Sequence, residues 1–236
     1  MYRIADVLVD CRDCGERFRR QAVPYLAEAG CGTPDISFSV TQAEAESGMA
    51  QSSLNEDDCR YIISGMRFYF ELLPFGGFML HSSAVAVDGA AYLFSGPSGV
   101  GKSTHTGNWL RLLGERAHIL NDDKPAIKLC GDRFFAYGTP WSGKHDLSRN
   151  EGLPLAGVAF VERAETNSIQ RIPPLEAAGL LLSQTVRHIR AERMNILLEL
   201  IDKLVAEAPV YRLRCTADIS AAALSYEAMR GVFDEN

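Results

Sequence analysis

The run Gly96-Pro97-Ser98-Gly99-Val100-Gly101-Lys102-Ser103-Thr104 has the residue types and spacing of a phosphate-binding loop: a glycine, four residues, then Gly-Lys-Ser. Its glycines allow backbone turns that aim successive N–H groups at phosphate oxygens. A helix starting at the end of the loop adds the positive end of its dipole. In such a loop Lys102 reaches the outer phosphates and the Ser103 hydroxyl ligates magnesium. The chemistry implied is binding of a nucleoside triphosphate, with ATP and Mg²⁺ as the expected pair.

A phosphate cradle also needs a carboxylate for the metal and a destination for the phosphoryl group. Asn121-Asp122-Asp123 follows an apolar strand at the place where an acidic strand end should meet the loop. One carboxylate can hold magnesium while the other takes a proton from an attacking hydroxyl. A solvated turn is the alternative, because Asp and Asn favour turns. His81 opens the strand before the loop's own strand, so it could ligate the metal or support a ligand; a lone histidine there is usually structural. His105 and His118 receive no role. Gly138-Thr139-Pro140-Trp141-Ser142-Gly143-Lys144-His145 is a second shaped loop, with Arg149 and Asn150 just beyond it. There Trp141 and Lys144 can meet a base, an acceptor or a phosphate. Lys144 or Arg149 could neutralise charge on a transferring phosphoryl group. The alternative is a packed tryptophan among solvated charges.

These residues need a scaffold. Residues 90–94 read as a buried strand and 104–113 as a helix stopped by Gly114, which gives strand, glycine loop and helix in the required order. A strand over 78–87 joins 90–94 at Asp88-Gly89, a hairpin signal, so the sheet should be mixed rather than purely parallel. Further strands are expected at 117–120, 126–129, 134–136, 155–161 and 210–213, with helices at 174–186, 191–206 and 219–233. Residues 1–55 read as a small α+β module ahead of a main domain, 56–236. In it, 4–9 and 36–40 alternate as strands do, and 18–29 is helical but interrupted by Pro24. Residues 43–58 are acidic and read as an exposed loop. A helix over 59–73, capped by Asp57 or Asp58 and ended by Pro74 and Gly76-Gly77, should place its aromatics in the core. The expected fold class is α/β: a mixed sheet carrying the strand–loop–helix unit, flanked by helices.

At 236 residues and 47% hydrophobic content the chain can bury a full core. Its net charge of −6 argues against nucleic-acid binding. No apolar run approaches the roughly 18 residues of a membrane span, and the first residues lack a signal-peptide layout. A cytoplasmic enzyme is expected, with room for a homo-oligomer. Cys11 and Cys14 have zinc-knuckle spacing, with Cys31 and Cys59 as conceivable partners, but no second close pair completes a site. Reduced, unrelated thiols are expected for all six cysteines.

Across residues 78–161 these features together resemble the HPr kinase/phosphorylase and phosphoenolpyruvate carboxykinase superfamily, and more narrowly its small HPr-kinase-related proteins. The resemblance implies a phosphate loop on a mixed sheet, with Asp122 as catalytic base and Asp123 as metal ligand. In the carboxykinases a histidine in a His-Cys-Ser-Ala strand binds manganese. His81-Ser82-Ser83-Ala84 is similar to it, which implies His81 as a metal ligand and Mn²⁺ as an alternative to Mg²⁺. The chain is far shorter than a carboxykinase and lacks an evident large lobe for an organic acid. The HPr kinase pattern is not recognised beyond Val161, which counts against HPr itself as acceptor. Some relatives of this type phosphorylate serine, free or in a peptide precursor, and residues 1–55 would then be a recognition module.

The leading expectation is an ATP- and Mg²⁺-dependent kinase that phosphorylates a hydroxyl, such as serine of a protein, peptide or small molecule. A carboxykinase-like activity would need an arginine-lined acid pocket, for which Arg149, Arg163 and Arg187 are candidates. From another class comes a low-turnover nucleotide switch coupled to a partner through residues 1–55.

Overall fold

Apolar residues on both sides of the central strands decide the architecture. In β5 (Ser82–Val87) Ala84 and Ala86 join one core while Val85 and Val87 join another. The same alternation separates Ala91 and Leu93 from Tyr92 and Phe94 in β6 (Ala90–Ser95). It also separates Val158 and Phe160 from Ala159 and Val161 in β10 (Gly152–Arg163). Such strands need cover on both faces. Helices α5 (Pro174–Ser183) and α6 (Ala191–Glu207) cover the first face through Leu181, Leu197, Ile201 and Leu204. Helices α4 (Lys102–Leu113) and α7 (Ile219–Arg230) cover the second through Trp109, Ala222 and Met229. This computed structural model describes residues 1–187 and 190–230; the end of the helix expected at 219–233 lies outside them.

Among the described residues the sheet has nine strands and is mixed. Its main path runs β4 (Gly77–Met79), β8 (Ala126–Cys130), β9 (Arg133–Tyr137), β10, β6, β5 and β7 (Ala117–Asn121). Long β10 is antiparallel to β9 over its first residues, then parallel to both β6 and β12 (Val210–Cys215). β11 (Ser168–Arg171), which the sequence pattern missed, pairs with β12. The β5–β6 hairpin turns at Asp88 and Gly89, both at positive φ, as the Asp-Gly pair predicts.

Residues 1–55 form a three-stranded sheet, β1 (Tyr2–Ile4), β2 (Val7–Arg12) and β3 (Ile36–Ser39), with helices α1 (Glu16–Gln21) and α2 (Gln42–Ala50). Their Phe18 and Tyr25 share one apolar cluster with Tyr61, Phe68 and Tyr69 of α3 (Glu56–Leu72) and with Trp141.

Local chemistry explains where the expected elements differ. The strand expected over 4–9 is instead a hairpin, because Ala5 and Asp6 take positive φ and Asp6 accepts a hydrogen bond from the Tyr137 hydroxyl at 2.5 Å. The acidic loop expected at 43–58 holds α2, started by a capping box in which Thr41 and Glu44 bond each other's backbone N–H. Asn55, not Asp57 or Asp58, caps α3. Asp57 instead accepts the first N–H groups of α1, from Glu16 and Arg17. The strand expected over 78–87 breaks at Leu80-His81, whose N–H groups bond Pro125 and Gln184.

Candidate functional site

The loop between β6 and α4 has Gly96, Gly99 and Gly101 at positive φ. A Cβ at Gly96 would stand 3.1 Å from the Val161 carbonyl oxygen and 3.3 Å from Val100. Backbone strain and crowding therefore both require glycine there. Gly101 begins α4, and no side chain caps that helix, which leaves first-turn N–H groups for an anion. The Lys102 ammonium is buried and bonds the carbonyls of Gly96 and Pro97 at 2.8 and 3.2 Å. Burial lowers its pKa, against the opposing pull of Asp123. Arg163, at the end of β10, donates to the carbonyls of Gly99 at 2.5 Å and Val100 at 3.2 Å.

Opposite the loop, Asn121 builds the aspartate turn. Its buried side-chain oxygen accepts from the N–H groups of Asp123 and Lys124 at 2.9 and 2.7 Å, while its amide donates to the carbonyls of Thr139 and Trp141. Asp122 is buried and accepts the Gly143 N–H at 2.5 Å. Burial pushes its carboxyl up, more than the N–H groups of Gly143 and His145 pull it down. Burial also pushes Asp123 up, but there the His81 hydrogen bond and the Lys124 charge win together and hold it well below the usual range. Its oxygens lie 3.2 Å from His81 Nε2 and 2.5 Å from Lys124 Nζ. Two adjacent carboxylates are thus driven apart in proton affinity, the pattern that separates a base from a permanent anion.

Loop and turn share one cleft of about 820 Å³, lined by Ser98, Gly99, Gly101, Lys102, Ser103 and Thr104 on one side. His81, Asp122, Asp123 and Lys144 line it on the other, with Arg163 at the edge. The structure does not bring Arg149 there: its backbone bonds Leu120 alongside β7, and it is exposed to solvent. Trp141 is core rather than ligand platform, 1% exposed and stacked on Phe68. Gly96, Pro97 and Val100 shape the loop from outside this cleft. His105 is buried against Ser225, burial lowers its pKa to about 4, and it does not line this cleft. His118 pairs with Glu151 at 2.7 Å. Arg17 of α1 and Tyr61 of α3 also line the cleft, and sequence reasoning missed both. No local motif marks Arg17, which meets Gly143 across 126 residues of chain.

The donor set suits magnesium. Asp123 is held ionised and the Ser103 hydroxyl lines the same cleft, both hard oxygen donors. Among the described residues no group of three or more His, Cys, Asp or Glu could hold a metal. Magnesium needs no such cage, since it keeps water and phosphate ligands. The Lys124 ammonium on Asp123 would have to yield. No helix among the described residues is long and apolar enough to cross a membrane.

Comparison with known families and with curated proteins found no match. Among solved structures, the chain matches the HPr(Ser) kinase/phosphatase from Coxiella burnetii at low similarity. The two share 13% identity at a TM-score of 0.37, over 65% of this chain and 94% of that one.

Proposed function

We propose that this chain is an ATP- and Mg²⁺-dependent phosphotransferase that phosphorylates a hydroxyl, such as serine of a protein, peptide or small molecule. The observation that carries the reading is the placement, in one cleft, of an uncapped glycine loop with Lys102 opposite the buried, proton-seeking Asp122. The acceptor oxygen attacks the terminal phosphorus, the bond to the bridging oxygen breaks, and ADP leaves. Asp122 takes the acceptor's proton. Lys102 leaves its loop carbonyls for the outer phosphates, and Lys144 balances charge from the far wall. Magnesium, held by Ser103 and Asp123, would supply charge neutralisation to the phosphates. His81 then orients Asp123 through their 3.2 Å contact.

Isothermal titration with Mg·ADP and transfer from labelled ATP to serine-containing acceptors test this reading. Wild-type protein should bind, and Lys102→Ala should bind about 10- to 100-fold more weakly, the equivalent of about one charge-assisted hydrogen bond. Absence of nucleotide binding in the wild type would end the proposal.

A second cavity of about 430 Å³ shares Gly101, Thr104 and Arg163 with the cleft and continues past Asn108, Cys215 and Ala217. Its mixed apolar and polar lining suits the nucleoside. Filling it with Ala217→Trp should weaken ADP binding at least tenfold while pyrophosphate, which needs only the loop, binds as before. Equal affinity of the variant and wild type for ADP would move the nucleoside elsewhere.

A further inference from the structure

Gly143 is held from two sides, and the second hold comes from the leading segment. Its N–H bonds Asp122 and its carbonyl accepts from Arg17 Nη2 at 3.0 Å. The same Arg17 nitrogen bonds Asp146 at 3.0 Å, and its Nη1 lies 3.5 Å from Asp58. The guanidinium sits 4.3 Å over the Tyr61 ring. Tyr61 holds the loop one residue earlier: its hydroxyl accepts the Ser142 N–H at 2.7 Å. Arg17 is itself fixed, because Asp57 receives the backbone N–H at the start of its helix. A planar fork with several donors suits such a multipoint hold better than an ammonium does.

We infer that Arg17 is a positioning residue for phosphoryl transfer, setting the Asp122 carboxylate through Gly143 and so tying residues 1–55 to the reaction. The inference rests on the phosphotransferase reading. Arg17 Nη2 is taken up by Gly143 and Asp146 and Nη1 faces Asp58, so the side chain acts on the site through Gly143. Displacing a reacting group by about 1 Å can cost on the order of 100-fold in rate. The nucleotide loop belongs to the opposite wall and should not sense the change.

The test compares wild type, Arg17→Met and Arg17→Lys for ATP turnover with water as acceptor, ADP affinity, and amide hydrogen exchange over residues 140–146. Arg17→Met should exchange faster in that segment, turn over about 10- to 100-fold more slowly, and bind ADP within about twofold of wild type. Arg17→Lys should recover part of the turnover, since it keeps the charge but loses the fork. Unchanged exchange and turnover in Arg17→Met would overturn the inference, as would a loss of ADP affinity matching the loss of rate. A wild type that binds ADP but neither hydrolyses ATP nor transfers phosphate to serine-containing acceptors would instead defeat the phosphotransferase reading, and the exchange result would still decide whether Arg17 holds Gly143.

Discussion

Asp122→Asn is expected to lose phosphoryl transfer by about 100- to 10,000-fold, the usual worth of a positioned general base, while Mg·ADP affinity stays within about threefold. Asparagine keeps the carboxylate's shape, and its oxygen can still accept the Gly143 N–H, so the loop geometry should survive. What disappears is the proton acceptor. The neighbouring position should behave differently. Asp123→Asn removes the charge that holds His81 and Lys124, so it should weaken metal-dependent nucleotide binding itself. The two variants therefore divide the pair by readout, rate for one and metal-dependent affinity for the other. Steady-state transfer and titration calorimetry with and without Mg²⁺ measure both. Transfer at near wild-type rate in Asp122→Asn would remove it as the base.

The glycine loop and aspartate turn were legible because each needs a contiguous run of particular residues: glycine where φ is positive, and Asn121 followed by two carboxylates. The mixed sheet was legible for a similar reason, since Asp88-Gly89 forces a hairpin beside the loop strand. Contacts between distant residues were not. Arg17 carries no local signal for meeting Gly143, and Arg149 resembles it in type while lying alongside β7, outside the cleft. Residues 43–58 have the composition of a loop, but capping decides their structure: Thr41 and Glu44 start a helix in a polar stretch with little apolar periodicity. The strand expected over 4–9 breaks at Ala5-Asp6, a turn at positive φ in which neither residue is glycine, so no turn signal marks it.

Trp141→Ala is expected to destabilise the fold by about 3–5 kcal/mol, the usual cost of emptying a large buried aromatic site. Trp141 stacks on Phe68 at 4.8 Å between ring centres, with Phe18 at 5.3 Å and Tyr69 at 5.8 Å. Its indole N–H donates to buried Ser64 at 3.0 Å, so truncation also costs that hydroxyl its donor. Gly65 shows how close the fit is, because a Cβ there would stand 2.9 Å from the indole ring. Trp141→Phe, which keeps most of the stacking and loses the N–H, should cost less than Trp141→Ala. The loss should fall unevenly on the site. Trp141 belongs to the cluster that joins residues 1–55 to α3, two residues before Gly143, whereas α4 packs through Trp109 into a different cluster. Folded Trp141→Ala should therefore bind ADP nearly as well as wild type but transfer phosphate more slowly, since the vacated space loosens the loop that fixes Asp122. Urea midpoints report the first effect, and ADP affinity against turnover reports the second. A midpoint unchanged from wild type would contradict the packing argument, and equal losses of affinity and rate would mean that the two walls of the cleft do not fold independently of this contact.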